Sequence, residues 1–233
     1  MPLPMHPIMA QSFAVIDQEI GDHRFSSSEY AIMRRVIHST ADFEFKELLQ
    51  FSPGSIAKAI SALQQRVPIV VDVGMVRQGI VNLVQQTFQN PVIVAVEQAT
   101  EAEPGRTRTE TGLLQCLAQY PQAIYVIGNA PTALLALCHW AGERSLSSPA
   151  FPGPALVIGA PVGFIAVKES KQALAESNLP QIRITDRKGG SPAAAAILNA
   201  LLVLAWDDWE QQPLRSHPVA DLATRQSLTT GRD

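Results

Sequence analysis

The feature that most restricts this chain is a series of short β-branched runs set at intervals along it: Ile69 to Val73, Val92 to Val96, Ile124 to Ile127, Ala155 to Ile158 and Ile182 to Thr185. Runs this short, rich in Val and Ile, read as strands buried on both faces. Helical patterns lie between and after them, at Arg108 to Tyr120, Thr132 to Ala141, Lys168 to Ser177 and Pro192 to Trp206. Strands alternating with helices predict a three-layer α/β fold: a parallel five-stranded sheet with helices on both faces. Five strands predict the flavodoxin-like order 2-1-3-4-5 rather than a longer Rossmann order.

Two further helices are expected ahead of the first strand, at Ser27 to Ile37 and Ser55 to Gln65, giving an N-terminal helical extension. Ser26 followed by Glu29 has the spacing of a capping box, and Ile56, Ile60 and Leu63 give the second helix an apolar stripe. With 233 residues, 46% of them hydrophobic, one sizeable core is expected rather than two. That core is assigned to a single domain, 1–206. The polar stretch 207–233, with Pro213 and Pro218, is set apart as a C-terminal tail.

Several function classes are disfavoured at once. A formal charge of −3 with no basic stripe gives no reason to expect a nucleic-acid partner. Cys116 and Cys138 lack metal-ligand spacing, so neither a zinc site nor a disulfide framework is indicated. No apolar run is long enough for a membrane span, and the first residues lack the pattern of a signal peptide, so a cytoplasmic protein is expected. There is no Gly-x-Gly-x-x-Gly after the first strand, no P-loop and no Gly-x-Ser-x-Gly elbow.

In an open parallel sheet, ligands bind beyond the carboxyl ends of the strands. Here those ends are followed by Gly74-Met75-Val76, Gly128-Asn129-Ala130-Pro131-Thr132, Gly159-Ala160-Pro161-Val162-Gly163-Phe164 and Asp186-Arg187-Lys188-Gly189-Gly190-Ser191. Glycines let the backbone approach a ligand, and the helix N-termini that follow offer N–H groups to anions. Strand-to-helix turns also need glycine for their own geometry, and that plainer explanation accounts for any one of them. Arg187 and Lys188 place positive charge at the same edge. Among the titratable groups His38 stands out, because it follows the helix ending at Ile37 and precedes Ser39-Thr40. A helix C-terminus favours a charged histidine, which suits a general acid; taken alone, a lone histidine is more often a cap or surface residue.

The segment Arg34-Arg35-Val36-Ile37-His38-Ser39-Thr40-Ala41-Asp42-Phe43 resembles the histidine segment of the precorrin-8X and cobalt-precorrin-8 methylmutases. Ser12-Phe13-Ala14-Val15-Ile16 is similar to that family's N-terminal serine segment, and Ile127 to Leu134 to its most recognisable run. Pro161-Val162-Gly163-Phe164 with Glu169-Ser170-Lys171, and Arg187-Lys188-Gly189-Gly190-Ser191, resemble further family segments. The resemblance covers about Gln11 to Leu204. It departs at Thr107-Arg108-Thr109, where the family commonly has Thr-Arg-Ser, a change that keeps the hydroxyl.

The resemblance implies an isomerase that moves a methyl group from C-11 to C-12 of a tetrapyrrole-derived corrin precursor. The product is hydrogenobyrinate, or cobyrinate when cobalt is already in the ring. It implies no separate cofactor, any cobalt belonging to the substrate, and a homodimer. The family's histidine maps onto His38, its substrate-contacting serine onto Ser12 and its arginine onto Arg35. Thr40, Arg108, Gly128, Asn129, Pro131, Gly163, Arg187, Lys188 and Gly189 complete the expected substrate contacts, with no metal ligands. Two other readings fit parts of the pattern: a corrinoid carrier without catalysis, and a flavin- or phosphate-binding protein of the same fold.

Overall fold

The computed structural model describes Leu3 and residues 6–147 and 153–211. In chain order the elements are α1 (Pro7–Glu19), α2 (Ser27–Thr40), α3 (Phe45–Leu48), β1 (Leu49–Phe51), α4 (Ser55–Gln64), β2 (Ile69–Val71), α5 (Gly74–Gln86), β3 (Val92–Val94) and α6 (Ala95–Gln98). They continue with α7 (Arg108–Gln119), β4 (Ile124–Ile127), α8 (Pro131–Ser147), β5 (Leu156–Gly159), α9 (Val167–Glu176), β6 (Gln181–Ile184) and α10 (Ser191–Glu210).

The strands form one sheet in the order β1-β6-β5-β4-β2-β3. The five expected strands are present and parallel, and among themselves they follow the succession 2-1-3-4-5. The expected count of five is corrected to six, because Leu49–Phe51 pairs antiparallel with β6, Leu49 opposite Ile184 and Phe51 opposite Ile182. The sheet is therefore mixed. A three-residue strand without β-branched residues carries no local signal; pairing with β6, far along the chain, creates it.

Successive side chains of a strand point to opposite faces, and the two cores divide accordingly. Ile69, Val71, Ile124, Val126, Leu156, Ile158, Ile182 and Ile184 face the core shared with α1, α2, α4, α5 and α10. Val70, Tyr125, Ile127 and Val157 face the core built with α7, α8 and α9. Helix α10 is apolar on nearly every side, with Ala193 to Leu198 all buried, so it lies inside the first core and packs against α2, α4 and α5.

Further elements and boundaries differ from expectation, α1 among them, since no helix was expected before Ser27. Helix α2 continues through Thr40, so His38 lies in its last turn, closed by Ala41 in the left-handed conformation. Helix α5 carried no helical expectation, and α10 runs past Trp206 to Glu210. The rest of the assigned tail, 212–233, lies outside the described residues. Among the described residues no helix is long and apolar enough to cross a membrane.

Candidate active site

The parallel strands all point their carboxyl ends toward one edge, and the turns that leave it are bonded to one another. Gly190 donates its N–H to the Ala160 carbonyl at 2.8 Å, and Gly163 donates to the Arg187 carbonyl at 3.3 Å, so the turns after β5 and β6 form one unit. Gly189 (φ 150°) needs glycine twice over, since a Cβ would also lie 2.4 Å from the Ala160 oxygen. Below this unit, the nearly fully buried Lys171 of α9 donates from Nζ to the carbonyls of Asp186 and Lys188, both at 2.6 Å. Burial pushes the Lys171 ammonium down to about 8, against the opposing pull of Asp186.

Lys188 ties this unit to the end of α2, through Asp42 Oδ2 at 2.6 Å and through Glu44. The last turn of α2 thus sits beside the strand ends. His38 is exposed there, its ring edge-on to Phe13 of α1 with centroids 5.3 Å apart. Arg35 lies one turn earlier on the same helix face. It is half-buried, has no hydrogen-bond or ion-pair partner among the described residues, and its pKa is lowered by burial. Its neighbour Arg34 is engaged instead by Asp17 at 2.9 Å and lies over the Phe13 ring at 4.4 Å. Of two adjacent arginines, one braces α1 on α2 and the other remains available to an anion.

The remaining expected residues divide. Ser12 is on α1 next to Phe13, with its hydroxyl donating to the Ile8 carbonyl at 2.9 Å; Thr40 donates likewise to Val36. Arg108, exposed at the start of α7, is drawn toward α8 by a 3.0 Å hydrogen bond between the Thr107 and Thr132 hydroxyls. Arg187 is exposed, its guanidinium 5.9 Å from the Phe164 ring centroid. Gly163 (φ 144°) and Pro131 border the same edge. Gly128, by contrast, is a packing glycine, since a Cβ there would meet Val76 at 2.8 Å and the Ser191 backbone at 2.9 Å. The charge of Lys188 at this edge is held by two carboxylates.

Two features of this edge were missed from the sequence. One is Asp72, fully buried at the end of β2, whose carboxylate accepts from the N–H groups of Asn129 (2.6 Å), Ala130 (2.8 Å) and Val73 (2.9 Å). Its signal was present, as a carboxylate inside the apolar run Ile69 to Val73. The other is a set of exposed apolar side chains, Phe43, Met75, Val162, Phe164 (84% exposed) and Ile165 (85% exposed), each on a segment leaving this edge or the end of α2. Apolar surface rimmed by cations suits a large, flat, acidic ligand. A cleft of about 970 Å³ opens at the opposite edge, lined by Lys58, Gln122, Cys138, Pro154 and Leu179, but strand amino ends are not where such sheets place ligands. Among the described residues no group of three or more His, Cys, Asp or Glu could hold a metal ion.

The precorrin-8X methylmutase family model matches residues 7–204. A cobalt-precorrin-8 methylmutase from Synechocystis sp. is 55% identical over 215 residues, covering 86% of this chain and 96% of that protein. A precorrin-8X methylmutase from Sinorhizobium sp. is 34% identical over 200 residues, covering 83% and 93%. Among solved structures, the precorrin-8x methyl mutase of Thermus thermophilus superposes with a TM-score of 0.77 at 39% identity, covering 87% of this chain and 99% of that one.

Proposed function

Because the chain belongs to the precorrin-8X methylmutase family, isomerases of cobalamin biosynthesis, we propose that it moves a methyl group from C-11 to C-12 of precorrin-8X or cobalt-precorrin-8, with His38 as general acid. The observation that carries this reading is the pairing of an exposed, ring-braced His38 with an Arg35 one turn away that has no partner among the described residues, beside an apolar rim. Arg35 holds a peripheral carboxylate of the corrin precursor, and Arg108 and Arg187 assist at the margin. The macrocycle lies against Phe164, Ile165 and Met75.

With the ring held, His38 protonates the conjugated system and draws electron density away from the migrating centre. The bond from C-11 to the methyl carbon breaks as the bond from C-12 forms, and the proton returns to solvent or to His38 as the product settles into its tautomer. Substrate and product are isomers, so no oxidant, reductant or methyl donor enters. On this reading the protein needs no resident cofactor, cobalt being part of the substrate when present. It works in the cytoplasm as a homodimer, an assembly that sedimentation analysis tests directly.

The test mixes the protein, and separately His38→Ala, with the metal-free and cobalt forms of precorrin-8 and follows the absorption spectrum. General acid catalysis is worth roughly 10²- to 10⁴-fold, so His38→Ala slows conversion by about that factor while retaining binding. The form converted faster identifies the substrate. Binding of both forms with conversion of neither replaces the isomerase by a corrinoid carrier.

A further inference from the structure

Strands β2 and β4 are neighbours in the sheet, yet the chain leaves β2 for β3 on its other side before returning to β4. This is the reversal at which open α/β sheets form their ligand crevice. The N–H groups of Asn129 and Ala130, just ahead of α8, would ordinarily offer an anion site in that crevice. In this chain the site is filled from within, because both N–H groups point to Asp72 Oδ2 at 2.6 and 2.8 Å. Oδ1 takes the N–H of Val73 at 2.9 Å, and among the described residues no cation contacts either oxygen. The Asp72 backbone is tied on both sides too, its N–H to the Val126 carbonyl and its carbonyl to the Val96 N–H.

We propose that Asp72 is a positioning residue, an internal anion whose carboxylate fixes the Gly128-to-Pro131 turn and the start of α8 in the shape that receives the corrin precursor. This rests on the isomerase reading above and adds to it a residue that touches no substrate. Every hydrogen-bond partner of the carboxylate is an N–H donor, an arrangement that favours its ionised form. Burial pushes the carboxyl upward from the usual aspartate range, and the surrounding N–H groups oppose it. With the Asn129 and Ala130 N–H groups taken by Asp72, those two donors are not open to an outside anion, and the substrate's carboxylates fall to Arg35 and the exposed arginines.

The experiment replaces the carboxylate and offers it back. In Asp72→Ala, three N–H donors face a hole of carboxylate size, and misplacing a binding turn by about 1 Å can cost up to roughly 100-fold. KM for the corrin precursor should rise roughly 10- to 100-fold with little change in kcat. Added formate should restore it saturably, chloride should not, and the native protein should respond to neither. A role in packing alone predicts loss without formate rescue, and that result overturns the proposal. Asp72→Asn keeps the shape and loses the charge, so it decides the matter if the alanine variant does not fold; a native KM in the asparagine variant also overturns the proposal. Thermal unfolding separates this claim from the isomerase reading. A formate-dependent rise in midpoint in Asp72→Ala, absent from the native protein, supports the internal anion site even if no form of precorrin-8 is converted.

Discussion

Lys171 is the cationic counterpart of Asp72: a buried charge whose partners are backbone groups, here the carbonyls of Asp186 and Lys188. Its lowered pKa gives a pH signature. Between about 8 and the ordinary lysine value of about 10.4, the folded protein holds fewer protons at this site than the unfolded chain. Stability from Lys171 therefore rises with pH across that window and is lost as pH falls through about 8. The thiols run the other way. Burial raises Cys116 to about 11 and Cys138 to about 12, so stability present below the unfolded thiol value is lost as pH rises through those values. The raw slope mixes these contributions, but Lys171→Met isolates one of them. Thermal midpoints of the native protein minus those of the variant should climb from pH 8 to 10; a flat difference would remove the linkage. Asp72 left a trace in the sequence, a carboxylate inside an apolar run, and Lys171 stood only within a family-like segment; what neither showed was that its partners are backbone groups, which the three-dimensional packing defines.

At the scale of elements, the glycines separate close packing from idle space. Gly112 of α7 crosses α6 so closely that a Cβ would sit 1.8 Å from the Ala95 carbonyl oxygen, and backbone cannot swing aside. Gly112→Ala should destabilise by about 1–3 kcal/mol or more. Gly142, exposed in α8, has nothing within 4 Å of its virtual Cβ. Gly142→Ala should stabilise by about 0.5–1 kcal/mol. Thermal or urea unfolding of the two variants checks both signs, and equal effects would mean that α6 and α7 do not approach as described. Legibility follows the same division between local and distant causes. Helix α2 was readable because its start is a local device: Ser26 and Glu29 close the capping box, with the Ser26 N–H on Glu29 at 2.9 Å. Helix α5 was not, since it opens on glycine, carries Gly79 inside and is rich in β-branched residues. It is helical because Val76, Ile80 and Val84 are buried in the first core and Gly79 lets Ala195 of α10 come close.

For the molecule as a whole, the problem is how a chain of net charge −3 holds a substrate fringed with carboxylates. The long-range field gives no help, so the attraction is local and of two kinds. Arg108 and Arg187 are exposed and screened by salt, whereas Arg35 is half-buried and has no competing carboxylate among the described residues. A charge-assisted contact of the Arg35 kind is worth about 1.5–3 kcal/mol, roughly 10- to 150-fold in affinity. Arg35→Ala should therefore weaken binding of the corrin product by about that factor, and Arg35→Lys should recover only part of it, because an ammonium lacks the two-pronged geometry. The salt response carries the sharper distinction. Native binding should weaken modestly between low and physiological salt, and the residual binding of Arg35→Ala should weaken more steeply, since only screened cations are left to it. Titrations of both proteins at two salt concentrations measure this directly. Equal salt slopes would place the anchoring cation elsewhere on the edge, and an unchanged affinity in Arg35→Ala would remove Arg35 from the site.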